Sequence, residues 1–162
     1  MRLLSTSFII LIFFMGCSAQ KGIAPPDEAT SQNITKLTDS TLVISFEQTA
    51  CYGSCPVHKI EILHNGSATY HGERNVAQIG DYYATVSSTD IQTVYAKAEE
   101  LGFFSLKPEY TSNITDLPTT LITITSPTKS HSVKAYGPIP QKLQDFIAFL
   151  GNHYQKVVWT KK

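Results

Sequence analysis

The chain has 162 residues, thirteen bases against thirteen acids, a formal net charge of zero and three cysteines. Neither sign of charge gathers beyond doublets, Asp27-Glu28, Glu99-Glu100 and the terminal Lys161-Lys162. The electrostatic footprint for a phosphate backbone or acidic lipid heads is therefore absent from the sequence, and nucleic acid is not expected as a partner.

In chain order, Arg2 supplies a positive start, Leu3 to Met15 is almost unbroken hydrocarbon, and Gly16-Cys17 sets a small residue before a thiol, which reads as an export signal. The apolar run is shorter than the roughly 18 to 20 residues a helix needs to cross a bilayer. Phe14-Met15-Gly16-Cys17 resembles the lipobox of bacterial lipoproteins, with Phe14 where Leu, Val or Ile is usual. The resemblance implies a signal peptide over residues 1–17, cleavage before Cys17, and lipid chains on that cysteine. The expected address is the cell envelope, periplasmic or outer-membrane, with the membrane engaged through the lipid anchor. Each buried acyl methylene contributes about 0.8 kcal/mol, so two or three chains hold where one does not. A mature chain of about 145 residues fits one domain plus a tether. Residues 18–40, with Pro25-Pro26 and no sustained period, read as that flexible tether. Within it, Asp39-Ser40-Thr41 resembles the short O-glycosylation signal of some Bacteroidota, a three-residue pattern that chance also produces, as it does the sequons at Asn33, Asn65 and Asn113.

Residues 41–160 are expected to form a single domain. Leu42, Ile44 and Phe46 alternate as one face of a strand, Val57 to Leu63 is the next, and Asn65-Gly66 turns the chain back into Ser67 to His71 as a hairpin. Tyr82 to Val86 follows as a strand. Ser88-Thr89-Asp90 offers N-cap side chains for a helix carrying Ile91, Val94, Tyr95, Ala98 and Leu101 and ending at Gly102. Leu121 to Thr125 and His131 to Tyr136 are strands, and Pro138 and Pro140 open a second helix with Ile139, Leu143, Phe146, Ile147 and Leu150 as its stripe before Gly151. Val157-Val158-Trp159 reads as an edge strand or a tail tucked against the core. The fold class expected is α+β: an antiparallel sheet with two helices packed on one face, in strands-helix-strands-helix order.

The segment Thr49-Ala50-Cys51-Tyr52-Gly53-Ser54-Cys55-Pro56 carries the most specific chemistry. With Cys17 consumed, two cysteines remain in an oxidising compartment, and Gly53 lets the chain double back while Pro56 steers Cys55 to an extended conformation. A disulfide is the first reading. Closing about five residues gives roughly 2 kcal/mol in the chain-entropy treatment. The competing reading is a thiol-disulfide or soft-metal module, handling copper or zinc, centred on Cys51 and Cys55. Redox enzymes more often space their cysteines by two residues, and no βαβ setting is evident here. Cys-x3-Cys-Pro also occurs in copper chaperones of the thioredoxin fold, a likeness of spacing only. A metal would need a third ligand. With Asn65-Gly66 as a two-residue loop, Ile60 faces His71, so His58 and His71 share a face about 7 to 8 Å apart and flank the thiolates. The competing account makes both ordinary sheet residues, and no metal or cofactor is assigned.

At these residues the chain resembles uncharacterised domains of Bacteroidota-type lipoproteins. The likeness rests on the cysteine segment, the later Asn65-Gly66 hairpin with Tyr70 and Gly72, and Thr115-Asp116-Leu117-Pro118, and it covers roughly residues 42 to 160. His58 departs from the pattern, in which an aromatic residue such as Tyr is expected. The resemblance implies a fold and an address, and no reaction.

The remaining candidates are weak as chemistry. Asp116 before Leu117-Pro118 reads as a turn residue in preference to an acid or base, and Ser54 lacks the glycine-flanked elbow of hydrolases. Tyr82, Tyr83, Phe103, Phe104 and Tyr110 read as packing. With no catalytic residues found, the sequence leans away from an enzyme and towards a lipid-anchored binding or structural module whose partner is an envelope protein or glycan.

Overall fold

The computed structural model describes residues 36–162; Cys17, the signal and most of the expected tether lie outside them. Ten elements follow in chain order: β1 (Leu42–Gln48), β2 (Val57–Leu63), β3 (Ser67–Arg74), β4 (Gly80–Thr85), α1 (Ser88–Glu100), β5 (Glu109–Tyr110), β6 (Thr119–Thr125), β7 (Ser130–Tyr136), α2 (Gln141–Tyr154) and β8 (Thr160–Lys161), with a 3₁₀ turn at Phe103–Ser105. The strands form one eight-stranded sheet in the order β5-β7-β6-β1-β2-β3-β4-β8.

This corrects the expected antiparallel sheet in strands-helix-strands-helix order. The sheet is mixed, because β5 runs parallel to β7, pairing Glu109 with Lys134 and Tyr110 with Ala135. The chain does not end on a helix either, because β8 follows α2 and pairs with β4 at the opposite edge. Both strands are two residues long, too short to show a period of two; β5 was not foreseen, and the edge strand or tucked tail expected at Val157-Val158-Trp159 has Val157 and Trp159 against the core with β8 just after them.

One face of the sheet carries the core. Ile44, Phe46, Ile60, Ile62, Ala68, Tyr70, Ile122, Ile124, Val133 and Ala135 are buried in one cluster with Val94 and Ala98 of α1 and Leu143, Phe146 and Leu150 of α2. The other face presents Lys59, Glu61, His71 and Asp81, with ion pairs between Lys59 and Glu61 at 2.7 Å and between His71 and Asp81 at 2.6 Å. Strand β1 departs from strict alternation. Its pairing with β2 shifts between Leu42 and Ile44, and the extra residue, Val43, is fully buried alongside Ile44 while Leu42 stays part-exposed.

Local chemistry sets the helix ends. Ser87, one residue earlier than expected, caps α1 in a reciprocal box: the Asp90 N–H donates to Ser87 Oγ at 3.1 Å and the Ser87 N–H to Asp90 Oδ2 at 3.1 Å. The Ser87 hydroxyl also donates to Asp90 Oδ2 at 2.6 Å, and that bond together with the one from the Ser87 N–H holds the Asp90 carboxyl below its usual range. Gly102 follows the C-cap in the left-handed region at φ +69°. Helix α2 runs one turn past the expected stop at Gly151, because Tyr154 is buried and extends the apolar stripe. No helix among the described residues is long and apolar enough to cross a membrane.

Candidate functional site: a neutral cleft beside the stapled loop

The loop after β1 folds back as the sequence predicts. Cys51 and Cys55 are joined, with Cα atoms 5.8 Å apart, inside the usual window for a bridge. Noncovalent ties anchor the same loop. The Tyr52 N–H donates to the Asp116 carbonyl at 3.0 Å, Thr49 exchanges bonds with Thr119, and Asn75 Nδ2 donates to the Cys55 carbonyl at 2.9 Å. Asp116 sits at φ +65° and offers its carbonyl to this loop, so it acts as the turn residue expected. Tyr52, at the tip, is 92% exposed.

The two histidines do not come together. The β2–β3 pairs are Lys59 with His71, Ile60 with Tyr70 and Ile62 with Ala68, one position away from the register of a two-residue loop. The loop is His64-Asn65-Gly66, with Gly66 at φ +86° accepting the Val86 N–H at 2.9 Å. That single slip puts His71 on the open face, where Nδ1 meets Asp81, and leaves His58 on the core side. Among the described residues no group of three His, Cys, Asp or Glu side chains is placed to hold a metal.

His58 instead borders a cleft of about 570 Å³ at one corner of the core face. Its floor is Phe46, Ile60 and Tyr70 from β1 to β3. One wall is Asn75 to Gln78 in the β3–β4 loop, the other is Gly151, Tyr154 and Gln155 at the end of α2 with Trp159 beyond it, and Pro56 of the stapled loop closes the rim. The imidazole fills an aromatic slot, lying 5.2 Å from the Phe46 ring edge-on and 6.0 Å from the Tyr70 ring in a stacked arrangement. This accounts for the aromatic residue that the family resemblance leads one to expect there. His58 Nε2 donates to Gln48 Oε1 at 3.1 Å, which leaves Nδ1 as an acceptor, buried and without a partner among the described residues. The Tyr154 hydroxyl is likewise buried and unpartnered.

Gly72 and Trp159 fix the walls. A Cβ at Gly72 would collide with the Gln78 carbonyl and lie 2.8 Å from the Tyr70 hydroxyl, so only glycine lets Tyr70 donate to Gln78 O at 3.2 Å and close the β3–β4 loop over it. Trp159 Nε1 donates to the Tyr154 carbonyl at 3.2 Å, and its ring stands 5.4 Å from that of Tyr70.

Electrostatically the cleft is blank, since its lining holds no Asp, Glu, Lys or Arg. Burial lowers the His58 pKa from 6.5, and burial raises those of Tyr70 and Tyr154 from 10.0, so all three are driven towards their neutral forms. Of the remaining sequence candidates, Ser54 is exposed in the stapled loop, Phe103 is fully buried, Tyr82, Phe104 and Tyr110 pack against the core, and Tyr83 is 52% exposed on the open face. Sequence reasoning passed over Gln48, Gln78, Gly151 and Gln155. The available signals were a glycine inside an apolar helical stripe and, eight residues further on, the only tryptophan of the chain.

Together these features define a β-rich domain with a single mixed sheet, two helices and a stapled loop set beside a neutral cleft. Residues 42–154 match the domain of unknown function DUF6438, and the chain belongs to that family. No curated protein matches the chain.

Proposed function

We propose that this is a non-catalytic binding module of an exported protein, held at the cell envelope, periplasmic or outer-membrane, by lipid on Cys17, with the cleft beside the stapled loop as its ligand site. The observation that carries the binding half is a concavity of ligand size whose titratable groups are all pushed towards neutrality. The anchoring half is supported by the apolar run and the Gly16-Cys17 junction.

Trp159 is the chain's only tryptophan and borders the cleft, so its emission reports on occupancy. Titration of the full chain with fractionated envelope extract of the native host is expected to move that emission saturably, with the bound compound recovered unchanged by mass spectrometry. Recovery of a chemically altered compound overturns the non-catalytic reading. Mass spectrometry of the native protein showing an unmodified amino terminus overturns the anchor.

A further inference from the structure

A helical glycine points to what the cleft accommodates. Gly151 lies inside α2, where glycine is a poor helix former, and its backbone is not among those with positive φ. A Cβ added there meets no heavy atom within 4 Å. Neither packing nor backbone conformation in the fold calls for glycine, and the space it leaves open belongs to the cleft. The same lining holds Gln48 and Gln78, carboxamides that both donate and accept.

We propose, building on the binding-module reading, that the cleft holds an uncharged carbohydrate segment. Its hydroxyls would meet the carboxamides, and its C–H face would meet the Trp159 ring. A phosphorylated or carboxylated ligand would find no counter-charge in the lining and would lose its hydration without compensation. A purely apolar ligand would cover carboxamides and give them no hydrogen bonds in return. A sugar ring suits both surfaces, since it carries a hydroxyl rim and C–H groups that favour the negative face of an aromatic ring.

The test titrates the full chain, followed by Trp159 emission, with neutral oligosaccharides of glucose, mannose and N-acetylglucosamine. In parallel it uses glucose 6-phosphate, glucuronate and octanol, and vesicles carrying a neutral galactolipid. At least one neutral sugar is expected to saturate the signal and to bind at least about tenfold tighter than the anionic sugars and octanol. Binding of the soluble sugars identifies a glycan source, and binding of the vesicles alone identifies a glycolipid headgroup. Gln78→Ala removes a carboxamide from the lining and should weaken the sugar about three- to tenfold. Gly151→Leu should abolish binding, and Gly151→Ala should weaken it with the thermal midpoint unchanged or raised. If an anionic sugar or octanol saturates the signal and neutral sugars do not, the ligand class falls and the binding module stands. If neither these probes nor the envelope extract moves the emission, both fall.

Discussion

Gly151→Ala separates what the fold needs from what the cleft needs. Gly151 sits in the last turn of α2, and its carbonyl accepts the Gln155 N–H at 3.1 Å, so the backbone there is already committed to helix. A methyl group would point into space with no heavy atom within 4 Å. Folding then loses nothing, and the unfolded chain loses the extra freedom of glycine, a stabilisation of about 0.5–1 kcal/mol. Unfolding entropy of about 2.1 cal/mol/K per residue, over about 127 described residues, amounts to roughly 0.27 kcal/mol/K. The thermal midpoint should therefore rise by about 2–4 °C, read by calorimetry, with a higher urea midpoint and an unchanged m value. A midpoint that falls refutes the reasoning, because glycine would then be serving the helix and not the space beside it.

Four further outcomes are expected. Cys51→Ala should lower stability by about 2 kcal/mol, and the bridge should have a potential below about −300 mV in redox-buffered thiol titration; an unchanged urea midpoint argues against a formed staple. Cys17→Ser should give a folded protein that carbonate extraction releases from membranes, whereas retention in the pellet defeats the lipidation reading. Gly72→Ala should cost about 1–3 kcal/mol in urea unfolding and shift Trp159 emission, since the new Cβ displaces Tyr70 or the Gln78 carbonyl. The His58 pKa is depressed below 6.5 in the folded state, so the unfolded state binds the proton first as pH falls. Stability should be flat with respect to His58 above pH 6.5 and decline as pH drops from there towards the folded pKa. His58→Phe should remove that part of the slope in urea midpoints.

How far the fold was legible depended on element length and on register. Long elements with a clear period stood out: β2, β6 and β7 carry alternating apolar residues, and α1 carries a cap, a stripe and a closing glycine. The two-residue strands β5 and β8 have no period to read. Their pairing depends on where the ends of the central strands present free backbone groups, which is a property of the assembled sheet. The Asn65-Gly66 hairpin shows the limit more sharply. The turn was visible, but two- and three-residue loops share the same dipeptide, and the choice between them inverts every side chain of β3. Burial decides it. The observed register puts Ala68, Tyr70 and Gly72 inward, whereas the alternative would bury Thr69, His71 and Glu73 beneath the helices.

The cleft escaped sequence reading for a different reason. Its lining comes from the end of β1, the start of β2, β3 with the loop after it, and the end of α2 with the residues beyond it, and none of those pieces carries a charged or spaced motif. The legible motif and the illegible site nevertheless adjoin. Cys55 presents its carbonyl to Asn75, Pro56 forms the rim, and both Asn75 and Pro56 line the cleft. A bridge closing about five residues contributes about 2 kcal/mol to global stability. It also acts locally, since it holds the rim-forming Pro56 beside a β3–β4 loop whose own closure depends on Gly72. The cysteine pair and Gly72 thus act on the two sides of one opening, and the staple serves the shape of the cleft as well as the stability of the fold.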